Sequence, residues 1–344
     1  MPRKKIAVDM DALLDVESDV KVEKIRAELT ELRRKYKDAL GIIDTQRETV
    51  ESIRSLKDVG RSNLPRKKSR AKNRASATVV LCMSDWHVEE RVKPHEVRGL
   101  NDYSLEEADR RIAEVTERAE RLIEHEKGLT DIRRVVLWLG GDFISGHIHD
   151  ELIEATQLAP LAACRWAAER ITAMVDRFAD LGVPLVITTN SGNHGRSTIG
   201  RRIAGENDHS YEQNMYHVLA SAERRKNVSW IVGEGYHNII DLDGFTVRFH
   251  HGHAMRGSGG FGGLVPGANK LIAGWNASQP VDLDVFGHLH SFTVSRKFVA
   301  NGSLIGASPY GDRLGCPAEP PAQAMIVVDH GHSRVTKALP IFVD

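Results

Sequence analysis

The sequence predicts an α/β protein preceded by a long helical arm. From Thr78 onward, short apolar segments of strand length alternate with longer amphipathic segments of helix length. Before that point, residues from about 20 to 58 repeat apolar side chains at alternating four- and three-residue spacing. A basic segment separates the two patterns. We therefore expect a helical, coiled-coil-like arm at 1–60, a basic linker at 61–77 and a catalytic α/β domain at 78–344.

The arm has the apolar seam of a coiled coil. Gln46 and Lys57 interrupt this seam, and the other side chains give the helix a polar outer face. Because one isolated helix cannot bury such a stripe, it must pair with another helix or lie along its own domain. We favour pairing between copies, and hence a homodimer or higher oligomer. The seam consists of Ile25, Leu29, Leu32, Tyr36, Ala39, Ile43, Val50 and Ile53.

The distribution of charge indicates an anionic partner. The 344 residues contain 47 Lys and Arg against 47 Asp and Glu, a formal net charge of zero. Residues 1–76 nevertheless contain 20 basic and 13 acidic side chains, whereas the rest contain 27 and 34. Seven basic residues and no acid lie between Arg61 and Arg74. Such a block favours nucleic acid as a partner, the alternative being a solvated linker.

Three features that the sequence lacks indicate the cellular compartment of the protein. No run of about 18 apolar residues is present, so we expect no membrane span. The segment Met1–Lys5 carries no apolar core of a secretory signal. Cys82, Cys164 and Cys316 lie far apart and form no CxxC pair, which favours reduced thiols. We expect a cytoplasmic protein.

The α/β region divides into nine predicted strands and four predicted helices. Ser104 to Glu107 forms a capping box that opens the first helix, and Asp243–Gly244 is a hairpin signal. The predicted helices are 104–126, Leu158–Leu181, Ser210–Arg225 and a short one near Asn269–Ala277. The predicted strands are Thr78–Met83, Arg133–Leu139, Pro184–Thr189, Val228–Val232, His237–Leu242, Phe245–His250, Asp282–Gly287, Phe292–Phe298 and Ala324–Asp329.

Five short motifs follow five of these strands at their C-terminal ends. In an open α/β fold those ends converge on one edge of a sheet, so all five motifs can face one cleft. The motifs are Asp85–Trp86–His87, Gly140–Gly141–Asp142, Gly192–Asn193–His194, His250–His251–Gly252–His253 and Gly287–His288–Leu289–His290.

The residue types in these motifs suit a pair of metal ions. Asp, His and Asn without thiolate favour Mn, Fe, Zn, Ni or Co over Ca and Mg. There are too many ligands for one ion, whereas two ions about 3.5–4 Å apart, bridged by a carboxylate and a hydroxide, would use them all. Asp85 and Asp142 are the only anionic candidates, so the centre keeps a positive surplus that favours a phosphate oxyanion.

This ordered series resembles the calcineurin-like metallophosphoesterases over about residues 78–310. The resemblance implies a four-layer αββα sandwich. It implies that Asp85, His87 and His290 hold the first metal and that Asp142 bridges the two. Asn193, His251 and His288 would hold the second metal, with His250 the alternative to His251 if the register differs by one. His194 would contact the phosphate and act as general acid.

Two of the five motifs depart from those of the Ser/Thr protein phosphatases in this superfamily. Those enzymes show GDxVDRG and GNHE, whereas this chain has GDFISG from Gly141 and GNHG from Gly192. A phosphoprotein substrate is therefore disfavoured. The stretch Gly140–Glu151, together with GNHGR, is similar to phosphoesterases encoded by phages and prophages.

Several side chains beside the motifs are candidates for substrate contact. Arg196, with Arg201 and Arg202, could clamp phosphate, although surface solubility explains them equally well. His149 and His253 are further candidates. In the glycine-rich loop 256–263, Phe261 could stack on a base, as could Trp86, although ordinary packing is the competing interpretation.

The sequence as a whole predicts a phosphodiesterase, most consistent with a DNA nuclease that binds two divalent ions, Mn²⁺ foremost. Attack would come from a metal-bridging hydroxide. The alternative is a phosphatase or phosphodiesterase for nucleotides or other small esters. A non-catalytic binding scaffold is a remote third possibility.

Overall fold

The computed structural model describes residues 10–55, 75–198, 200, 203–255 and 264–343. The chain divides into two compact units, Met1–Arg70 and Ala71–Asp344. Of the predicted basic linker at 61–77, residues 61–74 lie outside the described residues.

The first unit contains one helix, α1, over Met10–Ser55. It begins about ten residues before the predicted start. The seam side chains are exposed, with Ile25 at 63% and Leu32 at 65%. An ion pair one turn apart, from Arg34 to Glu31 at 2.8 Å, contributes at most a few tenths of a kcal/mol to the helix at such exposure.

The described residues of the second unit form eleven strands. In chain order they are β1 Ser76–Met83, β2 Asp131–Leu139, β3 Leu185–Thr189, β4 Val228–Val232, β5 Asn238–Asp241, β6 Thr246–His250, β7 Leu283–Phe286, β8 Thr293–Val294, β9 Phe298–Ala300, β10 Ala322–Asp329 and β11 Arg334–Phe342.

These strands form two mixed sheets. The six-stranded sheet has the order β11-β10-β1-β2-β3-β4, in which β1 to β4 are parallel and β10 is antiparallel to both of its neighbours. The five-stranded sheet has the order β5-β6-β7-β9-β8, with β6, β7 and β9 parallel. The strands followed by the five motifs are therefore parallel within each sheet.

Six helices accompany the sheets. They are α2 Leu105–Leu129, α3 Asp150–Ala155, α4 Pro160–Ala179, α5 Tyr211–Ala222, α6 Leu264–Ser278 and α7 Pro309–Arg313. Two 3₁₀ turns, Pro94–Val97 and Asn207–His209, complete the regular structure. None of the helices in these described ranges is both long enough and apolar enough to cross a bilayer.

Side-chain alternation along the strands creates three cores. On β1, Val79, Leu81 and Met83 pack with the helices α2, α4 and α5. Val80 and Cys82 point the other way, toward the second sheet. Each such apolar side chain contributes roughly 1.5–3 kcal/mol to stability when it is buried.

The remaining core lies outside the second sheet. Phe286 and Phe298 pack there against Ala268 and Ile272 of α6. The layers thus run helices, sheet, sheet, helix. This confirms the expected four-layer αββα sandwich.

Several elements differ from the prediction. The single strand expected at Phe292–Phe298 is wrong, because a turn in which Ser295 N donates to Phe298 O at 2.8 Å divides it into β8 and β9. The edge strand β11 was not predicted as a defined element, and neither were the short helices α3 and α7. β1 begins two residues earlier than expected, at Ser76.

Candidate metal centre

The five motifs converge at the C-terminal ends of β1, β2, β3, β6 and β7. Asp85 follows β1 by two residues, and its backbone amide donates to Gly141 O in the loop after β2 at 2.9 Å. Gly287 N, after β7, donates to His251 O, after β6, at 2.9 Å. These cross-loop bonds bring the predicted ligands together.

Five of the seven predicted metal ligands have a left-handed backbone. The φ angles are 55° at Asp85, 49° at His87, 52° at Asp142, 68° at His288 and 55° at His290. Such a conformation costs a non-glycine residue of order 1–3 kcal/mol and persists where the surroundings enforce it. It turns each side chain sharply out of its strand toward the common cleft.

The glycines of the motifs allow the ligand loops to approach one another closely. A Cβ on Gly192 would overlap Asp142 Oδ1, and a Cβ on Gly287 would overlap Asp85 Oδ2. Any larger residue would therefore push a predicted ligand out of place.

Asp85, His87 and His290 form the first ligand group. One ligand atom from each residue lies within 4.8 Å of the others. The Nε2 atoms of His87 and His290 are 3.2 Å apart, and His290 Nε2 is 3.4 Å from Asp85 Oδ1. The Asp85 carboxylate also accepts the backbone amide of His288 at 3.0 Å, which holds it in place.

Asp142, His251 and His288 form the second group, again within 4.8 Å. His251 Nε2 is 2.9 Å from Asp142 Oδ2, while His251 Nδ1 donates to Gly140 O at 2.8 Å. The other oxygen of Asp142 accepts the amide of His194 at 2.7 Å. Asp142 therefore stands where the two groups meet.

Asn193 follows β3 and has a carbonyl oxygen suited to a cation. Its Oδ1 is buried, and nothing in the described part of the chain donates a hydrogen bond to it. A buried amide oxygen without a donor is costly, and a metal ion would satisfy it. The two Nε2 atoms of the first group can lie 3.2 Å apart because a proton on one of them, or a cation between them, removes the repulsion of their lone pairs. The donor set fits divalent transition metals.

His250 and His251 point to opposite sides of the second sheet. His250 is the last residue of β6, and its ring stacks on Phe286 with centroids 5.1 Å apart, on the side of α6. His251 lies in the second ligand group. The alternative register, with His250 as the ligand, thus gains no support from this geometry.

His194 lies beside the first group. Its ring is edge-on to His87 at 4.8 Å, and its Nδ1 contacts Ser145 O at 2.9 Å. One of its ring nitrogens also lies within 4.8 Å of ligand atoms of His87 and Asp142. The geometry is compatible with the predicted role as an acid and also with metal ligation.

The pKa shifts of the buried histidines affect cation binding in opposite directions. Burial holds the pKa of His87 and His288 well below the ordinary value, so both imidazoles are neutral, the form that binds metals. Burial also opposes protonation of His251, but the adjoining Asp142 carboxylate outweighs it and raises the pKa of His251 to about 10. An incoming cation must displace that proton, so its affinity should fall as the pH falls.

Comparisons with known proteins bear on the fold. No family model matches the chain, and no curated protein matches it. A predicted phosphoesterase from Streptococcus pneumoniae aligns at 12% identity and a TM-score of 0.29, covering 77% of this chain and 98% of that chain. Vps29 complexed with Zn²⁺ from Entamoeba histolytica aligns at 12% and 0.30, covering 76% and 99%. A hypothetical protein from Pyrococcus horikoshii aligns at 9% and 0.37, covering 78% and 89%.

The layer order and the convergence of the five motifs, rather than these distant alignments, agree with the expectation drawn from the sequence. The fold is metallophosphoesterase-like. Within it the described residues supply candidate His and Asp clusters for metal. The likeness to phage enzymes gains no support from the comparisons and stays a prediction.

The three predicted substrate contacts lie around the cleft in different settings. Arg196 donates to Asn193 O at 2.9 Å, within its own loop. His253 is buried, with Nε2 2.9 Å from Glu206 Oε1. His149 is exposed at the N-cap of α3. Their contact with substrate stays a prediction, and Arg201, Arg202 and loop 256–263 lie outside the described residues.

Trp86 cannot stack on a base as the sequence suggested. Its side chain is fully buried and packs edge-on against Phe143, with ring centroids 4.6 Å apart. The residue is part of the core beneath the first motif.

Buried glutamates that the sequence analysis missed support the ligand loops. Glu212 of α5 accepts the backbone amides of Phe143 at 2.6 Å, Gly192 at 2.9 Å and Asp142 at 3.2 Å. Gly195 leaves room for it, because a Cβ there would come 2.7 Å from Glu212 Cγ. One carboxylate thus joins the loops after β2 and β3. No local sequence signal marks Glu212, which lies 70 residues from Asp142.

Replacing Glu212 with alanine should destabilise the metal-free protein strongly. The amides that it accepts would be buried without partners, and each buried amide left unsatisfied costs about 1–3 kcal/mol. We expect the free energy of unfolding to fall by roughly 3 kcal/mol in a urea titration. Glu154→Ala, at an exposed position in α3, is the control and should change it by less than about 0.5 kcal/mol. Equal stability of the two variants would show that the Glu212 contacts contribute little.

Glu89 should make the metal-free protein less stable as the pH rises. Burial raises the pKa of Glu89 from 4.5 to about 7, although the amides of Gly146 and Ser145 oppose the shift. Between these values the folded state keeps a proton that the unfolded chain releases, so stability falls by up to about 1.4 kcal/mol per pH unit. The stability difference between wild type and Glu89→Gln should therefore decrease from pH 4.5 to 7 and level off on either side. A difference that rises over this range would contradict the assignment.

Proposed function

We propose that this protein is a phosphoesterase that uses two divalent cations, Mn²⁺ foremost, to hydrolyse phosphate esters. The observation that carries the proposal is the position of Asp142. Its carboxylate contacts His251 of the second ligand group and lies within 4.8 Å of ligand atoms of His87 in the first. A single carboxylate between two histidine-rich groups is the arrangement that a bridged metal pair requires.

The chain's own residues would have separate roles in the reaction. When bound, the cations supply Lewis acidity and an activated water at neutral pH. The first ligand group, Asn193 with the second group, and Asp142 between them hold the reacting centre in position. His194 Nδ1 donates to the carbonyl of Ser145, so a proton that His194 gives to the leaving oxygen would come from Nε2 of its protonated form.

We further propose that the natural substrate is a nucleic acid phosphodiester, with DNA the first candidate. The support comes from the sequence: seven basic residues and no acid between Arg61 and Arg74. Binding that depends on such a segment weakens steeply with added salt, because each phosphate contact releases counterions.

A comparison of substrates tests the proposal. The full chain would be assayed with Mn²⁺ or EDTA on labelled single- and double-stranded DNA, bis-p-nitrophenyl phosphate and p-nitrophenyl phosphate. Glutamine at Arg66, Lys67 and Lys68 should slow DNA cleavage and leave the small esters unaffected. Turnover of small esters without any DNA cleavage would favour the small-molecule phosphatase. No Mn²⁺-dependent turnover on any substrate would contradict the proposed activity.

We also propose that α1 pairs with α1 of a second copy. In a parallel pair, Glu28 of one helix faces Arg33 of the other, an attractive contact between flanking positions. An antiparallel pair would instead place the four arginines on one flank against each other, so the parallel pair is favoured. Those arginines are Arg26, Arg33, Arg47 and Arg54.

The mass of the full chain in solution should respond to one seam residue. Leu32→Lys places a charge in the seam and should convert a dimer to a monomer in light scattering after size exclusion. Thr45→Lys introduces the same side chain outside the seam and should leave the dimer intact. A wild-type protein that is monomeric at all accessible concentrations would contradict the pairing.

A further inference from the structure

Ser145 is a fully buried residue in the loop after β2, three positions beyond Asp142. Every polar group it carries is bonded. Its amide donates to Glu89 at 2.9 Å, and its hydroxyl donates to Glu90 Oε2 at 2.7 Å. The hydroxyl also contacts His87 Nδ1 at 2.9 Å, and its carbonyl contacts His194 Nδ1 at 2.9 Å. One serine therefore contacts both a predicted metal ligand and the predicted acid.

The contact with the hydroxyl determines which nitrogen of His87 carries the proton. A hydroxyl has a single hydrogen, and here it is directed to the Glu90 carboxylate. The Ser145 oxygen can then only accept from His87, so Nδ1 of His87 must carry the hydrogen. His87 Nε2 is left with its lone pair directed at the first ligand group, 3.2 Å from His290 Nε2.

The contact with the carbonyl has the same consequence for His194. A carbonyl oxygen accepts and never donates, so Nδ1 of His194 must also carry a hydrogen. Nε2 is then the nitrogen that can gain or lose a proton. This contact uses the backbone, so it does not depend on the side chain at position 145.

We propose that Ser145 is a positioning residue that sets the tautomer of His87 through its hydroxyl and of His194 through its carbonyl. Glu90 directs the hydroxyl. The inference rests on the proposed metal-dependent function and adds residues outside the ligand set to it. Partners of this kind, which orient a metal-binding histidine, typically change metal affinity by about 10–100-fold when removed.

The two contacts predict a selective effect. Ser145→Ala removes the acceptor for His87 and leaves the carbonyl that holds His194. The affinity of the metal site at Asp85, His87 and His290 should fall about 10–100-fold, whereas the site at Asn193, His251 and His288 should be little affected. Ser145→Thr keeps a hydroxyl and should restore most of the affinity.

The test uses the full chain with its metal removed. Calorimetric titration with Mn²⁺ measures the two binding events, and ¹⁵N NMR of labelled histidines reports which ring nitrogen carries the hydrogen. Ser104→Ala is the matched control, because Ser104 caps α2 and its loss should lower stability without removing a contact to any predicted ligand. Glu90→Gln is the second variant, should Ser145→Ala not fold. Its amide can donate to the serine oxygen and should weaken the same site in the same direction.

We expect only one of the two binding events to weaken. The tautomer should change at His87 and stay the same at His194. Equal weakening of both events would show that Ser145 acts only through general stability, and unchanged affinities would also overturn the inference. If the wild type takes up no Mn²⁺, the proposed function fails with it. If the wild type takes up two ions and the Ser145 and Glu90 variants match it, only this inference fails.

Discussion

Replacing Asp142 with asparagine is expected to lower the rate of ester hydrolysis by about 10³-fold or more, equivalent to roughly 4 kcal/mol of transition-state stabilisation. Asparagine has nearly the same shape and can still accept the amide of His194, so the loop should keep its form. What it lacks is the negative charge between the two ligand groups. Without that charge the second cation should bind weakly.

Two measurements on this variant separate chemistry from folding. Metal bound per chain, measured by elemental analysis after dialysis, should fall from two toward one, and hydrolysis with Mn²⁺ should fall with it. Asp176→Asn, at an aspartate with 61% side-chain exposure, is the control and should change neither. An Asp142→Asn enzyme with full activity would exclude a bridging role for this carboxylate.

Replacing His194 with alanine should slow hydrolysis in a way that depends on the leaving group. General acid catalysis typically contributes 10²–10⁴-fold, and that factor is needed only where the departing oxygen is strongly basic. We expect a loss of about that size for a nucleotide or alkyl ester and a far smaller one for a p-nitrophenyl ester. The bound metal should stay at the wild-type level.

The dependence on leaving group distinguishes the two roles that the geometry allows for His194. A uniform loss across esters, together with lost metal, would make His194 a ligand with His87 and Asp142 rather than an acid. His209→Ala, at an exposed histidine of the same loop, should have no effect on either quantity. A plot of log kcat against the pKa of the leaving group distinguishes the two outcomes.

Much of the fold could be predicted because most of its strands can be recognised from their local sequence. β1, β2 and β3 are short, largely apolar runs buried on both faces of the sheet, whereas β4 alternates between more and less exposed side chains. The edge strand β11 carries no such signal. It is largely exposed or half-buried and contains Lys337 and Pro340, which are features of an edge strand.

The ligand set could be proposed from sequence because each member sits in a short motif at a strand end. The residues that support the ligands could not. Glu212 reaches the centre from α5, and its contacts are set by packing across the fold rather than by spacing. Ser145 and Glu90 lie beside motif residues, yet nothing in their local sequence indicates that their side chains meet.

The charge at the centre is also more balanced than the sequence indicated. Counting Asp85 and Asp142 alone leaves a positive surplus, but three buried glutamates lie just behind the ligands. Burial raises the pKa of Glu89 and of Glu212 to about 7 and raises that of Glu90. Glu89 and Glu212 are thus partly neutral near pH 7 in the metal-free protein, and cation binding favours their ionised form.

An anomalous difference map from a crystal of this protein soaked in Mn²⁺ tests the proposed metal pair most directly. We expect two peaks about 3.5–4 Å apart. One peak should lie among Asp85, His87 and His290, and the other among Asn193, His251 and His288, with Asp142 bound to both. A single peak, or a peak bound to His194 in place of Asn193, would contradict it.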